Sequence, residues 1–212
     1  MKLLLLTVYL AGALLHTAES LSCHTCINEA CTNTTTVQCP ATSTACQSIT
    51  SVTQTNTSIS VTVSKNCSTL LTCLTPLTIA TEWSVNLGYT RAAHNQLCCV
   101  SDNCNFQTLA TPSSAVNGKV CPGCASSADS MSGSCNVDIA CVGAENSCFT
   151  ANTTLPCSHE LQLGCTTRNL CLQPAFVTAV FSDLKVTCGA PWSTSISTVI
   201  LASALTGFKF IV

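Results

Sequence analysis

The sequence predicts an all-β chain made of two small disulfide-rich domains in tandem. Three observations carry that expectation. Nineteen cysteines among 212 residues fall into two blocks, residues 23–104 and 121–188. The second block repeats the spacing of the first. Between the cysteines, β-formers alternate with polar residues, and neither block has a long helical period.

The N-terminus reads as a secretory leader. Lys2 supplies the positive start, residues 3–15 are apolar except for Thr7, Tyr9 and Gly12, and Ala18 and Ser20 are the small residues a signal peptidase reads. Cleavage is expected after Ser20, so residues 1–20 are set apart from the fold. The apolar run is too short to span a bilayer. Entry into an oxidising lumen lets thiols pair, and cross-links then stand in for a core that blocks of this size do not supply.

The first domain is placed at residues 21–105. Ile59, Val61 and Val63 alternate with Ser60, Thr62 and Ser64, residues 47–53 are rich in β-formers, and residues 54–57 suit a turn. Together they predict a long hairpin between Cys46 and Cys67. The block closes as Cys98-Cys99, four residues, Cys104-Asn105, and Asp102 is expected to cap a tight turn inside that closing loop. Residues 106–120 contain no cysteine but carry Pro112, Ser113, Ser114 and Gly118, as a linker would.

The second domain is placed at residues 121–188. Cys121 and Cys124 answer Cys23 and Cys26, Cys141 and Cys148 answer Cys39 and Cys46, and Cys165 and Cys171 answer Cys67 and Cys73, with gaps of two, six and five residues kept in order. Residues 176–186 are rich in Val, Phe and Thr and lead into Cys188 as a strand would. The copy is incomplete. Cys188 is followed by Gly189-Ala190-Pro191 instead of a second cysteine, and Cys157 has no counterpart, which leaves a free thiol, an intermolecular bridge or an altered pairing open.

Residues 21–105, through Leu21-Ser22-Cys23-x-x-Cys26, the ordered middle cysteines and the closing Cys98-Cys99-x4-Cys104-Asn105, resemble the lymphocyte-antigen-6/urokinase-receptor domain family, whose members share the three-finger fold. The fold class expected is therefore two three-finger domains, similar to the two-domain urokinase-receptor-like and phospholipase-inhibitor-like members. The resemblance implies bridges Cys23 to Cys46, Cys26 to Cys31, Cys39 to Cys67, Cys73 to Cys98 and Cys99 to Cys104. By analogy it implies Cys121 to Cys148, Cys124 to Cys135, Cys141 to Cys165 and Cys171 to Cys188 in the second block. A bridge closing a loop such as that from Cys23 to Cys46 contributes about 3 kcal/mol in the chain-entropy estimate. The resemblance also implies a second finger between Cys46 and Cys67, a third between Cys73 and Cys98, and an Asn105 amide packed back into the knot.

The tail, residues 189–212, has small residues at Gly189, Ala190 and Ser193 and is largely apolar from residue 196 onward, with Lys209 inside that run. This reads as a removed signal for a glycosylphosphatidylinositol anchor, attached at Gly189, Ala190 or Ser193. Anchoring at the outer face of the plasma membrane is the expectation, with plain secretion as the alternative.

Seven basic and nine acidic residues give a net charge of −2 without a basic stripe, which disfavours nucleic-acid binding. Only 8% of residues are charged, so solubility must rest on hydroxyl and amide side chains and on sugar. Asn33, Asn56 and Asn152 head N-glycosylation sequons, and Asn66 heads a fourth whose middle residue is Cys67. Enzymatic activity is not expected: there is no G-x-S-x-G elbow, no histidine pair at metal-ligand spacing, and His24, His94 and His159 are isolated in sequence. Cys23-x-x-Cys26 and Cys121-x-x-Cys124 read as half-cystines, so no metal or cofactor is assigned. The expected function is binding of an extracellular or cell-surface protein through finger loops at Gln54, Thr55, Glu82, Trp83, Tyr89 and Arg91. Of these, Trp83, Tyr89 and Arg91 are the ligand-contact candidates, being types enriched in interface hot spots; the alternative for Trp83 and Tyr89 is packing within their own finger. A secreted inhibitor of an extracellular enzyme such as a phospholipase is the rival function, and a passive glycosylated coat protein is a third.

Overall fold

The computed structural model describes residues 20–27, 30–73, 76–153, 160–172 and 184–189. Residues 1–19 of the leader, Cys157, residues 176–183 of the expected strand, and the tail from Ala190 onward, with Ser193, lie outside the described residues. The chain is all-β and rich in disulfides. Its strands are β1 (Ser22–Cys26), β2 (Thr34–Gln38), β3 (Ala45–Thr55), β4 (Ile59–Ser68), β5 (Thr81–Asn86), β6 (Thr90–Cys99), β7 (Val116–Gly123), β8 (Val137–Val142), β9 (Ser147–Thr153), β10 (Leu161–Thr166) and β11 (Leu184–Cys188). Two short helices, α1 (Ser127–Ser132) and α2 (Arg168–Leu172), interrupt them. The alternation around Ile59 becomes the hairpin β3–β4, whose turn falls at residues 56–58, where Thr55 N–H donates to the Ser58 carbonyl at 2.8 Å. Residues 116–120, expected as linker, instead open β7, which pairs antiparallel with β8.

Contacts group the chain into two compact units. Unit 1 draws on Met1–Thr50, Thr62–Thr81 and Gln96–Leu109; unit 2 draws on Ser51–Val61, Glu82–Asn95 and Ala110–Val212. Residues 51–61 and 82–95 sit in the first cysteine block by spacing but cluster with the second repeat by contact. Backbone pairing, which cysteine spacing does not record, makes the difference.

In unit 1, β1 and β2 form a two-stranded antiparallel sheet beside the disulfide knot. The bridges are Cys23–Cys46, Cys26–Cys31, Cys39–Cys67, Cys73–Cys98 and Cys99–Cys104. These are the pairs the family resemblance names. Cys23, Cys39, Cys46 and Cys99 are buried together as the core, with Leu21 packed on them. Asn105 is 0% exposed. Its Nδ2 donates to the carbonyls of His24 and Gln47, both at 2.9 Å, and its Oδ1 accepts from His24 N–H at 2.9 Å. Asp102 does not cap its own loop as expected. Its Oδ1 accepts from Ser22 N–H at 2.7 Å, tying the closing loop to the first strand. Lys65 is buried and donates through Nζ to the Phe106 carbonyl; burial lowers its pKa.

The seven-stranded sheet has the order β11-β9-β10-β5-β6-β3-β4, and unit 2 holds its β9, β10 and β11 in full, with residues 82–86 of β5, 90–95 of β6, 51–55 of β3 and 59–61 of β4. Strand β10 pairs antiparallel with β9 on one side and with β5 on the other, through Cys165↔Asn86 and Thr166↔Val85. Gly164 permits the second pairing, since a Cβ there would run into the Asn86 carbonyl. The join is polar. Thr166 Oγ1 donates to the Ser84 carbonyl at 2.7 Å, and Asn169 Nδ2 donates to the Glu82 carbonyl at 2.8 Å. Val52, Val85, Leu87, Phe149, Ala151 and Leu170 supply the apolar interior. Bridges Cys121–Cys148, Cys124–Cys135, Cys141–Cys165 and Cys171–Cys188 complete the cross-links. The first and third stack as their counterparts do in unit 1: Cys141 Sγ lies 3.4 Å from Cys121 Sγ, and Cys39 Sγ lies 3.1 Å from Cys23 Sγ. Helix α1, not foreseen from the sequence, is six residues long and is closed by Ser126, whose hydroxyl accepts from Asp129 N–H, and by Gly133 in the left-handed region.

Candidate functional site

Unit 2 carries a cleft of about 450 Å³ lined by Gln54, Thr55 and Asn56 from the β3–β4 hairpin, by Asn86, Gly88, Tyr89 and Arg91 around the β5–β6 turn, and by Ser114, Ile139, Ala140 and Val142. The β5–β6 turn reaches this position because Gly88 adopts φ +88°, and a Cβ there would sit 2.7 Å from Ile139 Cγ2. Thr90 Oγ1 donates to the Gln54 carbonyl at 3.2 Å, which fixes the β3 end against β6.

Beneath the cleft lies a buried ion pair. Arg91 Nε donates to Glu145 Oε1 at 2.6 Å; the two side chains are 3% and 0% exposed. Glu145 Oε2 also accepts from Asn86 Nδ2 at 2.9 Å and from Val142 N–H at 3.0 Å, while Arg91 Nη2 donates to the Ser113 carbonyl at 2.9 Å. The guanidinium charge is therefore neutralised where it meets the cleft. This corrects the expectation of an exposed Arg91: the residue shares strand parity with Ala93 and Leu97, both buried, and its partner makes that position habitable for a charge. Glu82 is half-buried beside the pair. Its pKa is raised, chiefly by burial and further by Glu145, against the lowering effects of the Ala144 backbone hydrogen bond and the Arg91 charge.

Trp83 and Tyr89 separate. The Trp83 ring stacks on His94 with centroids 4.0 Å apart and planes at 24°, so it packs within its own β5–β6 pair. Tyr89 is half-buried on the cleft wall. His94, isolated in sequence, also meets Ser51: Ser51 Oγ lies 2.8 Å from its Nδ1. Burial lowers the His94 pKa, so the neutral ring is favoured and can accept the hydroxyl proton. The pair joins neighbouring strands β3 and β6.

Outside the cleft, β4 forms one edge of the sheet and exposes Ile59 at 64% and Val61 at 51%. All four acceptor asparagines, Asn33, Asn56, Asn66 and Asn152, are exposed. The Asn66 sequon is the most constrained: its Ser68 hydroxyl is buried against Gln47 and Thr72, and Cys67 is bridged. The sulfur clusters Cys23/Cys39/Cys67 and Cys121/Cys141/Cys165 have metal-like proximity, but every one of those sulfurs is in a disulfide and offers no thiolate. Gly189 is exposed, and its N–H donates to the Cys148 carbonyl at 3.1 Å. Among the described residues no helix is long and apolar enough to cross a membrane.

Neither the protein-family models nor the curated proteins contain a match to this chain.

Proposed function

We propose that this chain is a non-enzymatic glycoprotein of the outer cell surface, lipid-anchored through its C-terminal signal, that binds an extracellular or cell-surface protein through the tip of the β3–β4 hairpin. The carrying observation is that Ile59 and Val61 are well exposed on β4, the strand at the edge of the sheet. The disulfide knot supports the reading, because cross-linked roots limit the entropy lost when the tip docks. So does the cysteine pairing of residues 21–105, whose five bridges are those the resemblance to the lymphocyte-antigen-6/urokinase-receptor family implies. Ectodomain ending at Gly189 should bind a responsive cell type saturably, and Ile59→Asp with Val61→Asp should abolish that binding while leaving the melting temperature unchanged. Undiminished binding by the folded double variant overturns the assignment of the hairpin tip. Release of the full-length protein from cells by phosphatidylinositol-specific phospholipase C tests the anchor, and an intact tail by mass spectrometry would refute it.

A further inference from the structure

The cleft carries its own candidate occupant. Asn56, acceptor of the sequon Asn56-Thr57-Ser58, is one of the residues lining it, and it sits exposed in the β3–β4 turn. The remaining lining is amphipathic and close to neutral. Gln54 offers an amide, Ser114 a hydroxyl, Tyr89 a half-buried aromatic face, and Ile139 and Val142 an apolar wall. The one charged side chain in the lining, Arg91, is already neutralised by Glu145. An anion would find no free counter-charge there. A pyranose, with apolar C–H faces and polar edges, matches this mixture, and the volume falls in the range of small-ligand sites.

We propose that the N-linked glycan on Asn56 folds back so that its core N-acetylglucosamine units occupy this cleft against Tyr89. The cleft is then a carbohydrate site filled from within the same molecule. The tether makes this feasible with weak contacts, since a short link raises the local sugar concentration to about the millimolar range. Filling the cleft from inside also leaves the outer edge of β4, with Ile59 and Val61, as the face open to a protein partner. The inference rests on the reading that the chain passes through the secretory pathway.

Tyr89 is a clean reporter. The chain has two tyrosines, and the other, Tyr9, lies in the expected leader. The full chain is produced in glycosylating cells, and nitration of Tyr89 by tetranitromethane is compared in four forms: the intact glycoprotein, Asn56→Gln, Ser58→Ala (which removes the sequon but keeps Asn56), and the parent protein after enzymatic glycan removal under native conditions. The last form needs no substitution to fold. Nitration should be about fivefold slower in the intact form than in the other three, the protection given by a cleft filled about four-fifths of the time. Equal rates overturn the proposal. So does an unmodified Asn56 in a chain that carries sugar at Asn33 or Asn152, while absence of sugar at every sequon overturns the secretory reading itself.

Discussion

The Arg91–Glu145 pair yields the sharpest energetic prediction, because its two halves are unequally supported. Remove the guanidinium by Arg91→Gln, and Glu145 keeps Asn86 Nδ2 and Val142 N–H on its carboxylate. Remove the carboxylate charge by Glu145→Gln, and Arg91, 3% exposed, keeps one hydrogen bond, to the Ser113 carbonyl, and the more distant charge of half-buried Glu82, while its Nη1 already lacks a hydrogen-bond partner. The new amide NH2 would also face the Nε–H donor. Breaking a buried pair costs about 3–5 kcal/mol when a charge is stranded, so Glu145→Gln should lie near 4 kcal/mol, and Arg91→Gln near 2 kcal/mol because a carboxylate with two remaining donors is only partly stranded. The double variant Arg91→Met/Glu145→Gln should recover to within about 1 kcal/mol of the parent, since the glutamine carbonyl can still accept from Asn86 and Val142 and no charge remains. The measurement is guanidinium denaturation with disulfides intact, followed by Trp83 fluorescence in a chain ending at Gly189, which lacks Trp192. The reasoning fails if Glu145→Gln costs no more than Arg91→Gln, or if the double variant is as unstable as Glu145→Gln alone.

Glu82→Gln should stabilise the protein at pH 7. The folded-state pKa is raised, mainly by burial, so the protonated form contributes stability below the unfolded value and loses it as pH rises through the folded one; the variant's advantage should vanish in denaturation at about pH 4, and a destabilised variant at pH 7 would refute the sign. Trp83→Ala should cost about 2 kcal/mol, less than a fully buried tryptophan because the ring is half-buried, and should move the His94 titration seen by NMR upward as the ring loses its cover. An unmoved His94 titration would show that the stack does not desolvate it. Asn105→Ala should cost about 3 kcal/mol by orphaning three backbone groups, with loss of hydrogen-exchange protection at His24; Asn105→Asp should be no better, since it also loses both donors.

What could be read in the sequence was what is typed or periodic. Cysteine spacing is typed: a thiol in an oxidising compartment pairs with another thiol, and the repeat of three gaps already said that the two knots would match. The β3–β4 hairpin is periodic, and the alternation of Ile59, Val61 and Val63 was enough to place it. The site was harder because its contacts join residues far apart whose side chains belong to no recognised pattern. Arg91 and Glu145 are 54 positions apart, and Ser51 and His94 are 43 apart. One signal was available for Arg91: read with strand parity, it faces the same way as Ala93 and Leu97, so a buried arginine with a hidden acidic partner was implied by its neighbours. In a chain with so few charges, a charge on the inward face of a strand is more informative than one in a loop. The β5–β10 pairing left no such trace. Its interior residues are Ser84, Thr166 and Thr167, which resemble loop residues until the Thr166 hydroxyl donates to the Ser84 carbonyl and the Thr167 hydroxyl accepts from Ser84 N–H.

The incomplete second block can be understood on the same physical terms. In the first block the closing segment lies outside any strand and must be pinned to the knot by other means: the Cys99–Cys104 bridge, the three hydrogen bonds of Asn105, and Asp102 reaching Ser22 N–H. In the second block the closing residues are themselves a strand. β11 pairs antiparallel with β9 from Leu184↔Thr153 to Cys188↔Phe149, and Gly189 N–H extends the pairing to the Cys148 carbonyl at 3.1 Å. Backbone hydrogen bonds along five residue pairs, together with Cys171–Cys188, hold there what a further bridge and an asparagine hold in the first block. Losing the last cysteine pair therefore costs unit 2 little. The same logic makes Cys188 the critical closing residue of unit 2. Replacing Cys171 and Cys188 together by serine should release β11 from β9, which hydrogen exchange at residues 149–153 would report, whereas replacing Cys99 and Cys104 should leave His24 N–H protected by its bond to Asn105 Oδ1.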